Sequence, residues 1–242
     1  MKRLLPFAVP TAFVALAILS GPCIAEEVVV PQSAWSKGAG VNGQVNAIVM
    51  QADGKVVLGG AFSSVNGVPR GNLARLNADG TLDASFAPTP EAGVSGQVFA
   101  LALRPDGSIL VGGAFTQAAG TERLNLALYR PDGSLDASFA ASGLPGTNGP
   151  VRALAVQADG KVVLGGSFTA VFGQQRNSLA RLAADGTLDE PLPATGQITG
   201  AVEAAAPLTA SSTLAAGRFS VSNQYAESLF VAGNSTQPVL SN

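Results

Sequence analysis

The sequence contains no histidine, one cysteine and one tryptophan, and only 12% of its 242 residues are charged. Without histidine there is no Ser-His-Asp triad, no His-ligated zinc or haem, and no imidazole general base. One cysteine cannot close a disulfide within the chain, so a disulfide-scaffolded fold is excluded. A formal net charge of −2 supplies no attraction for nucleic acid. A hydrophobic content of 47% excludes a disordered polyelectrolyte. What remains is enough chain for one or two domains with a real core, punctuated by 29 glycines and 15 prolines.

The first residues have the layout of a bacterial-style secretory signal. Lys2 and Arg3 form a basic start, Leu4 to Leu19 an apolar stretch, and Gly21-Pro22 a break before Cys23-Ile24-Ala25. Cleavage is expected after Ala25, giving a secreted or periplasmic protein. The uninterrupted apolar core, Thr11 to Leu19, is too short to span a bilayer, which takes about 20 residues. Lipidation at Cys23 conflicts with Pro22, where a lipid-attachment signal wants a small residue. Removal of residues 1–25 takes away Lys2, Arg3 and the cysteine, leaving a Cys-free chain of net charge −4 suited to an oxidising compartment.

The rest of the chain repeats itself. Val45 to Phe62 reads VNAIVMQADGKVVLGGAF, Val98 to Phe115 VFALALRPDGSILVGGAF, and Val151 to Phe168 VRALAVQADGKVVLGGSF. Val202 to Phe219, VEAAAPLTASSTLAAGRF, keeps the frame with its signals worn down, and the spacings are 53, 53 and 51 residues. Each strong copy continues through a polar loop into a second apolar run (Asn72 to Leu76, Asn125 to Tyr129, Ser178 to Leu182) and a second Asp-Gly pair. Short β-branched runs joined by Asp-Gly predict hairpins. Each repeat is expected to be two hairpins, and a repeated four-stranded unit of about 50 residues is the signature of a β-propeller blade. Glycine pairs inside the apolar runs (Gly59-Gly60, Gly112-Gly113, Gly165-Gly166) exclude a helical repeat and mark a bulge or a close backbone approach. A phosphate-cradling loop would need a following Lys-Ser/Thr, which is absent.

The motif V-x-A-L-A-x-Q-x-D-G-K-x-x-L-G-G-x-F followed by N-x-L-A-R-L-x-x-D-G-x-L-D-x-S-F resembles the delta-60 repeat of bacterial secreted and surface proteins. The resemblance is strong over residues 44 to 192 and weak over 201 to 242, where Ala210-Ser211 replaces Asp-Gly. It implies a β-propeller and brings no catalytic residues. The expected organisation is an all-β propeller of four blades of about 53 residues, the fourth degenerate. A signal occupies 1–25, an N-terminal strand segment 26–43, and repeats 44–96, 97–149, 150–200 and 201–242. Trp35 stands where later copies carry Phe86 and Phe139, so the first segment is expected to complete the last blade, around Pro238-Val239-Leu240, and close the ring. The rival is an open arc that self-associates.

Nine of the 16 carboxylates recur with the repeat, among them Asp53, Asp79 and Asp83, and a side chain that a turn needs three times is structural by default. No calcium-loop spacing, metal set or cofactor motif occurs. Strands within a blade alternate in direction, so the Asp-Gly turns are expected on one face and the longer loops on the other. Long loops on a rigid scaffold are where binding resides. The candidate ligand-binding residues are therefore Arg70, Arg123, Arg176, Asn66, Glu122, Gln174 and Gln175. The three arginines, again 53 residues apart, have a second reading: each pins its own loop. The function expected is a secreted, non-catalytic scaffold or binding module for a surface protein or glycan. The alternative is an extracellular polysaccharide hydrolase or lyase, for which Glu91, Glu122, Glu190 and Glu227 are the carboxylates outside the repeat pattern.

Overall fold

The computed structural model describes residues 40–139, 146–189, 198–207, 213–221 and 224–232, and of the last three segments the backbone alone. The expected secretory signal at 1–25, Trp35, Glu190 and Pro238 to Leu240 lie outside the described residues.

The repeat reads directly into strands. In the first copy β1 (Gln44–Met50) pairs antiparallel with β2 (Val56–Ala61), and β2 with β5 (Leu73–Leu76). The second copy does the same with β6 (Gln97–Leu103), β7 (Ile109–Ala114) and β10 (Leu126–Tyr129). The third uses β11 (Val151–Val156), β12 (Val162–Gly166) and β15 (Leu179–Leu182). The worn fourth copy forms the longest strands of all, β16 (Ile198–Pro207), β17 (Thr213–Val221) and β18 (Gln224–Ala232). The architecture is all-β, with the described sheets following one another as blades.

The Asp-Gly hairpins have a different geometry from the two-residue turn that the dipeptide suggests. Gly54 is left-handed (φ +79°), but Asp53 is not. Gly54 N–H donates to Gln51 C=O at 3.0 Å and Gln51 N–H to Lys55 C=O at 2.8 Å, a three-residue loop with glycine at its bulge. Asp53 serves by side chain, its Oδ1 accepting the Lys55 N–H at 3.1 Å. True two-residue turns occur where the sequence suggested plain loop. Asn66-Gly67, Ala119-Gly120 and Phe172-Gly173 all have positive φ and close tiny hairpins. These are β3 (Ser64–Val65) with β4 (Val68–Pro69), β8 (Gln117–Ala118) with β9 (Thr121–Glu122), and β13 (Ala170–Val171) with β14 (Gln174–Gln175).

The fourth strand of each of the first three blades is one bridge long: Leu76 with Leu82, Tyr129 with Leu135, Leu182 with Leu188. Its brevity has a local cause. One residue after Leu82, the Asp83 Oδ1 accepts both the Ser85 N–H at 2.9 Å and the Ser85 hydroxyl at 2.6 Å, turning the chain off the ladder. Asp136 and Ser138 repeat the device.

The core lies between blades. Val57 and Leu73 from the first meet Val98, Ile109, Val111, Ala127 and Tyr129 from the second. Leu110, Leu126 and Leu128 then meet Val151, Leu154, Val162, Leu164, Ala180 and Leu182 of the third. Both faces of the middle strands are covered, so β2 and β7 read as continuous apolar runs rather than alternating ones.

The glycine pairs make this stacking possible, each member by a different contact. A Cβ on Gly59 would come 2.5 Å from Val98 Cγ1, and one on Gly112 2.7 Å from Val151 Cγ1, so the first glycine is a slot for the next blade's inner strand. The second glycine, Gly60 or Gly113, faces the backbone of its own first strand at the bulge between Val45 and Ala47, or Val98 and Ala100. In the fourth sheet the bulge lies between Val202 and Ala204, and Ala216 stands in register where the slot glycine would be.

Candidate binding groove

Antiparallel order separates two ends of the sheets. The 51–55 connection lies at one and the 62–72 connection, with its small hairpin, at the other. Asp53 and Arg70 are therefore at opposite ends, the turn end and the hairpin end.

At the turn end the aspartates are engaged. Asp79, Asp132 and Asp185 accept from the N–H and hydroxyl of Thr81, Ser134 and Thr187, and Asp106 does the same with Ser108. Asp83 is buried between Lys55 Nζ and Arg75 Nε, each 2.9 Å away, and Arg75 also stacks over the Phe86 ring at 4.5 Å. Burial alone would push the Asp83 carboxyl up. The Ser85 hydroxyl, the Lys55 ammonium, the Ser85 N–H and the Arg75 charge outweigh it and hold it well below the usual carboxylate range. Asp189 repeats the arrangement with Arg181 at 2.6 Å and Lys161 at 3.1 Å. No group of three or more cysteine, aspartate or glutamate side chains able to hold a metal ion occurs among the described residues.

At the hairpin end a repeated set of polar side chains fixes the loops. Asn42 Oδ1 accepts from the N–H groups of Ser63 and Ser64, and Asn148 Oδ1 from those of Thr169 and Ala170. Ser95 performs the same task for Thr116 and Gln117. Asn72 ties its blade's loop to the connection that leads to the next blade: its Oδ1 accepts the Phe62 N–H and its Nδ2 donates to Val94 C=O at 3.0 Å. Asn125 does likewise with Phe115 and Thr147. Both are left-handed (φ 59° and 64°), a conformation asparagine tolerates best after glycine. The asparagine that opens the second apolar run of the first two copies is the signal for this staple, and Ser178 takes its place in the third; its role is invisible locally because its amide acts on the connection 22 residues on.

The predicted binding residues do not form one cluster. Arg70 and Arg123 are buried, and both pin loops, donating to backbone carbonyls rather than to aspartate. Arg70 Nη1 donates to Pro69 and Pro88 C=O at 2.8 and 2.9 Å. Arg123 donates to Glu122 and Ala137 C=O, both at 3.0 Å. Arg176 is half-buried and donates to Gln175 C=O. Asn66 accepts the Gly40 N–H with its side chain, while Glu122, Gln174 and Gln175 are exposed on the small hairpins.

Of the seven, Arg70 alone lines the open groove between the hairpin ends of the first two blades. This groove encloses about 1040 Å³, bounded by Asn42, Ser63, Asn72, Glu91, Ser95 and Gln117 among others. Glu91 sits on its rim in a short 3-10 turn, Pro90–Ala92, capped by Thr89. The next residue, Gly93, is held from behind by the buried Tyr129 hydroxyl, which donates to its carbonyl at 2.8 Å. Arg70 Nε is buried without a hydrogen-bond partner. Burial pulls its ionisation below the ordinary arginine value, opposed by the field of Asp83.

Among curated proteins none matches the chain. Solved structures similar to it include streptogramin B lyase, at 17% identity and a TM-score of 0.40, covering 77% of this chain and 53% of that one. The extracellular domain of BT4673 from B. thetaiotaomicron matches at 14% identity and a TM-score of 0.46, covering 86% of this chain and 28% of that one. Virginiamycin B lyase from Staphylococcus aureus matches at 16% identity and a TM-score of 0.30, over 75% and 71% of the two chains. The chain thus spans about half the length of the streptogramin B lyase structure. Residues 51–86, 104–139 and 157–190, one segment in each of the first three repeats, match the beta-propeller domain of unknown function DUF5122, consistent with the delta-60 resemblance.

Proposed function

We propose that the chain is a secreted, non-catalytic β-propeller binding module that receives a surface glycan or protein at its hairpin end. The observation that carries this reading is the groove of about 1040 Å³, in whose partly apolar walls the side chains of Asn42, Asn72 and Ser95 are fixed by hydrogen bonds to the sheet stack. Preformed polar concavities on a rigid scaffold suit ligands recognised by hydrogen bonding. The rival hydrolase or lyase reading calls for two carboxylates at one site, and Glu91 is the single carboxylate among the described lining residues.

An array of glycans and surface proteins, probed with the exported protein, tests the proposal. Binding that weakens on Gln117→Ala or Ser95→Ala and persists in Glu91→Gln is the expected result. Turnover of a polysaccharide that Glu91→Gln abolishes would overturn it. Secretion belongs to the same proposal, with Glu26 as the first residue after cleavage, and intact mass of the exported protein reads it directly. A retained N-terminus, or lipid on Cys23, refutes that part.

A further inference from the structure

The charges of the described blades are sorted by end. Nine aspartates and six cations lie in the Asp-Gly turns or are paired to a turn residue, and every ion pair seen among the described residues is there. The hairpin end carries Arg70, Arg123, Arg152 and Arg176 against Glu91 and Glu122, and none of these arginines takes part in those ion pairs. Among the described residues the hairpin end is therefore net positive, in a chain that is acidic overall. Arg70 lies in the wall of the groove at that end, 2% exposed, with one guanidinium nitrogen lacking any acceptor. Asp83, the carboxylate whose field acts on it, is already held by Lys55 and Arg75. A guanidinium withdrawn from water without a carboxylate of its own favours an anion brought by a ligand. The hydroxyls and amides beside it, Ser63, Ser95, Asn42 and Gln117, favour a ligand rich in hydroxyl groups.

We propose that the groove takes an acidic glycan, a polymer whose sugars carry carboxylates. The proposal rests on the binding-module reading and names the ligand class for that same groove. Arg70 is the cation in the groove's wall, and Arg123 and Arg176 stand outside it on the following hairpins. Glu91, on the groove's rim, is the residue that opposes it.

Affinity is measured for the exported protein with polygalacturonate and polymannuronate, each against its own methyl ester, at low and high salt. The free acids should bind about tenfold tighter than the esters, and the preference should shrink at high salt as screening shortens the reach of the arginines. Glu91→Gln, an exposed and conservative change, should tighten binding of the acids about two- to fivefold. Arg70→Gln should weaken it about tenfold, whereas Arg130→Gln at the turn end should leave it unchanged. Equal affinity for acid and ester, or no response to Glu91→Gln, overturns the proposal. Array binding of a neutral ligand at the groove retires the acidic class and keeps the binding module. Absence of any ligand on the array retires both.

Discussion

Adding one methyl group at Gly112 tests whether blade stacking depends on a missing side chain. The φ of Gly112 is not in the left-handed region, so the backbone accepts alanine and the cost is steric. Its Cβ would stand 2.7 Å from Val151 Cγ1 and 3.2 and 3.3 Å from Leu154 Cδ1 and Cγ. Those atoms belong to buried residues on the inner strand of the next blade, so the strand must back away by roughly 1 Å to reach ordinary contact. Overpacking of this kind costs about 1–3 kcal/mol, offset in part by about 0.4–1 kcal/mol from the stiffer unfolded chain. A net loss of about 2 kcal/mol lowers a urea midpoint by about 1 M at a slope of about 2 kcal/mol/M. The decisive measurement is the double-mutant cycle. Val151→Ala alone opens a cavity, but in the presence of Gly112→Ala it makes room for the new methyl. The pair should therefore cost about 1–2 kcal/mol less than the sum of the single changes, read from urea unfolding by circular dichroism. Strict additivity would mean that Gly112 and Val151 do not meet, and the slot reading would fail.

Three further outcomes follow from the same geometry. The Asp83 carboxyl titrates below its unfolded value of about 3.9, so its contribution is complete above that value and is lost as pH falls toward the folded one. Asp83→Asn should cost about 3–5 kcal/mol at pH 7, by leaving buried Arg75 without its carboxylate, and should flatten the acid side of the stability profile; an unchanged acid limb contradicts this. Asn125→Gly should lose about 1–2 kcal/mol with the hydrogen bonds to Phe115 and Thr147, and Asn125→Ala about 1 kcal/mol more because alanine resists φ 64°. Equal stability of those two variants would remove the backbone part of the argument. Ala119→Gly should gain about 1 kcal/mol by relieving a left-handed alanine (φ 48°) in the β8–β9 turn, measured as a rise in melting temperature.

The sequence by itself determined the repeat, the strand runs and the ends at which turns and loops fall, because these depend on neighbours within a few residues. Asp53-Gly54 closes a hairpin whichever blade follows, and alternating strand direction then places Arg70 at the far end from it. Asn66-Gly67 is a local signal of the same kind, a two-residue hairpin turn set inside a polar loop. What only the tertiary structure decided is what each recurrent side chain touches. The same glycine pair serves two partners, the next blade through Gly59 and its own bulge through Gly60, and no local pattern distinguishes them. Arg70 and Asn72 are separated by one residue, yet one turns to Pro88 C=O and the other to Val94 C=O, contacts that exist only once the connection leaving the blade has folded back along the hairpin end. The groove is likewise a property of two adjacent blades, lined by residues from Asn42 to Gly120, and it forms because interblade packing brings distant segments of one repeat against the next.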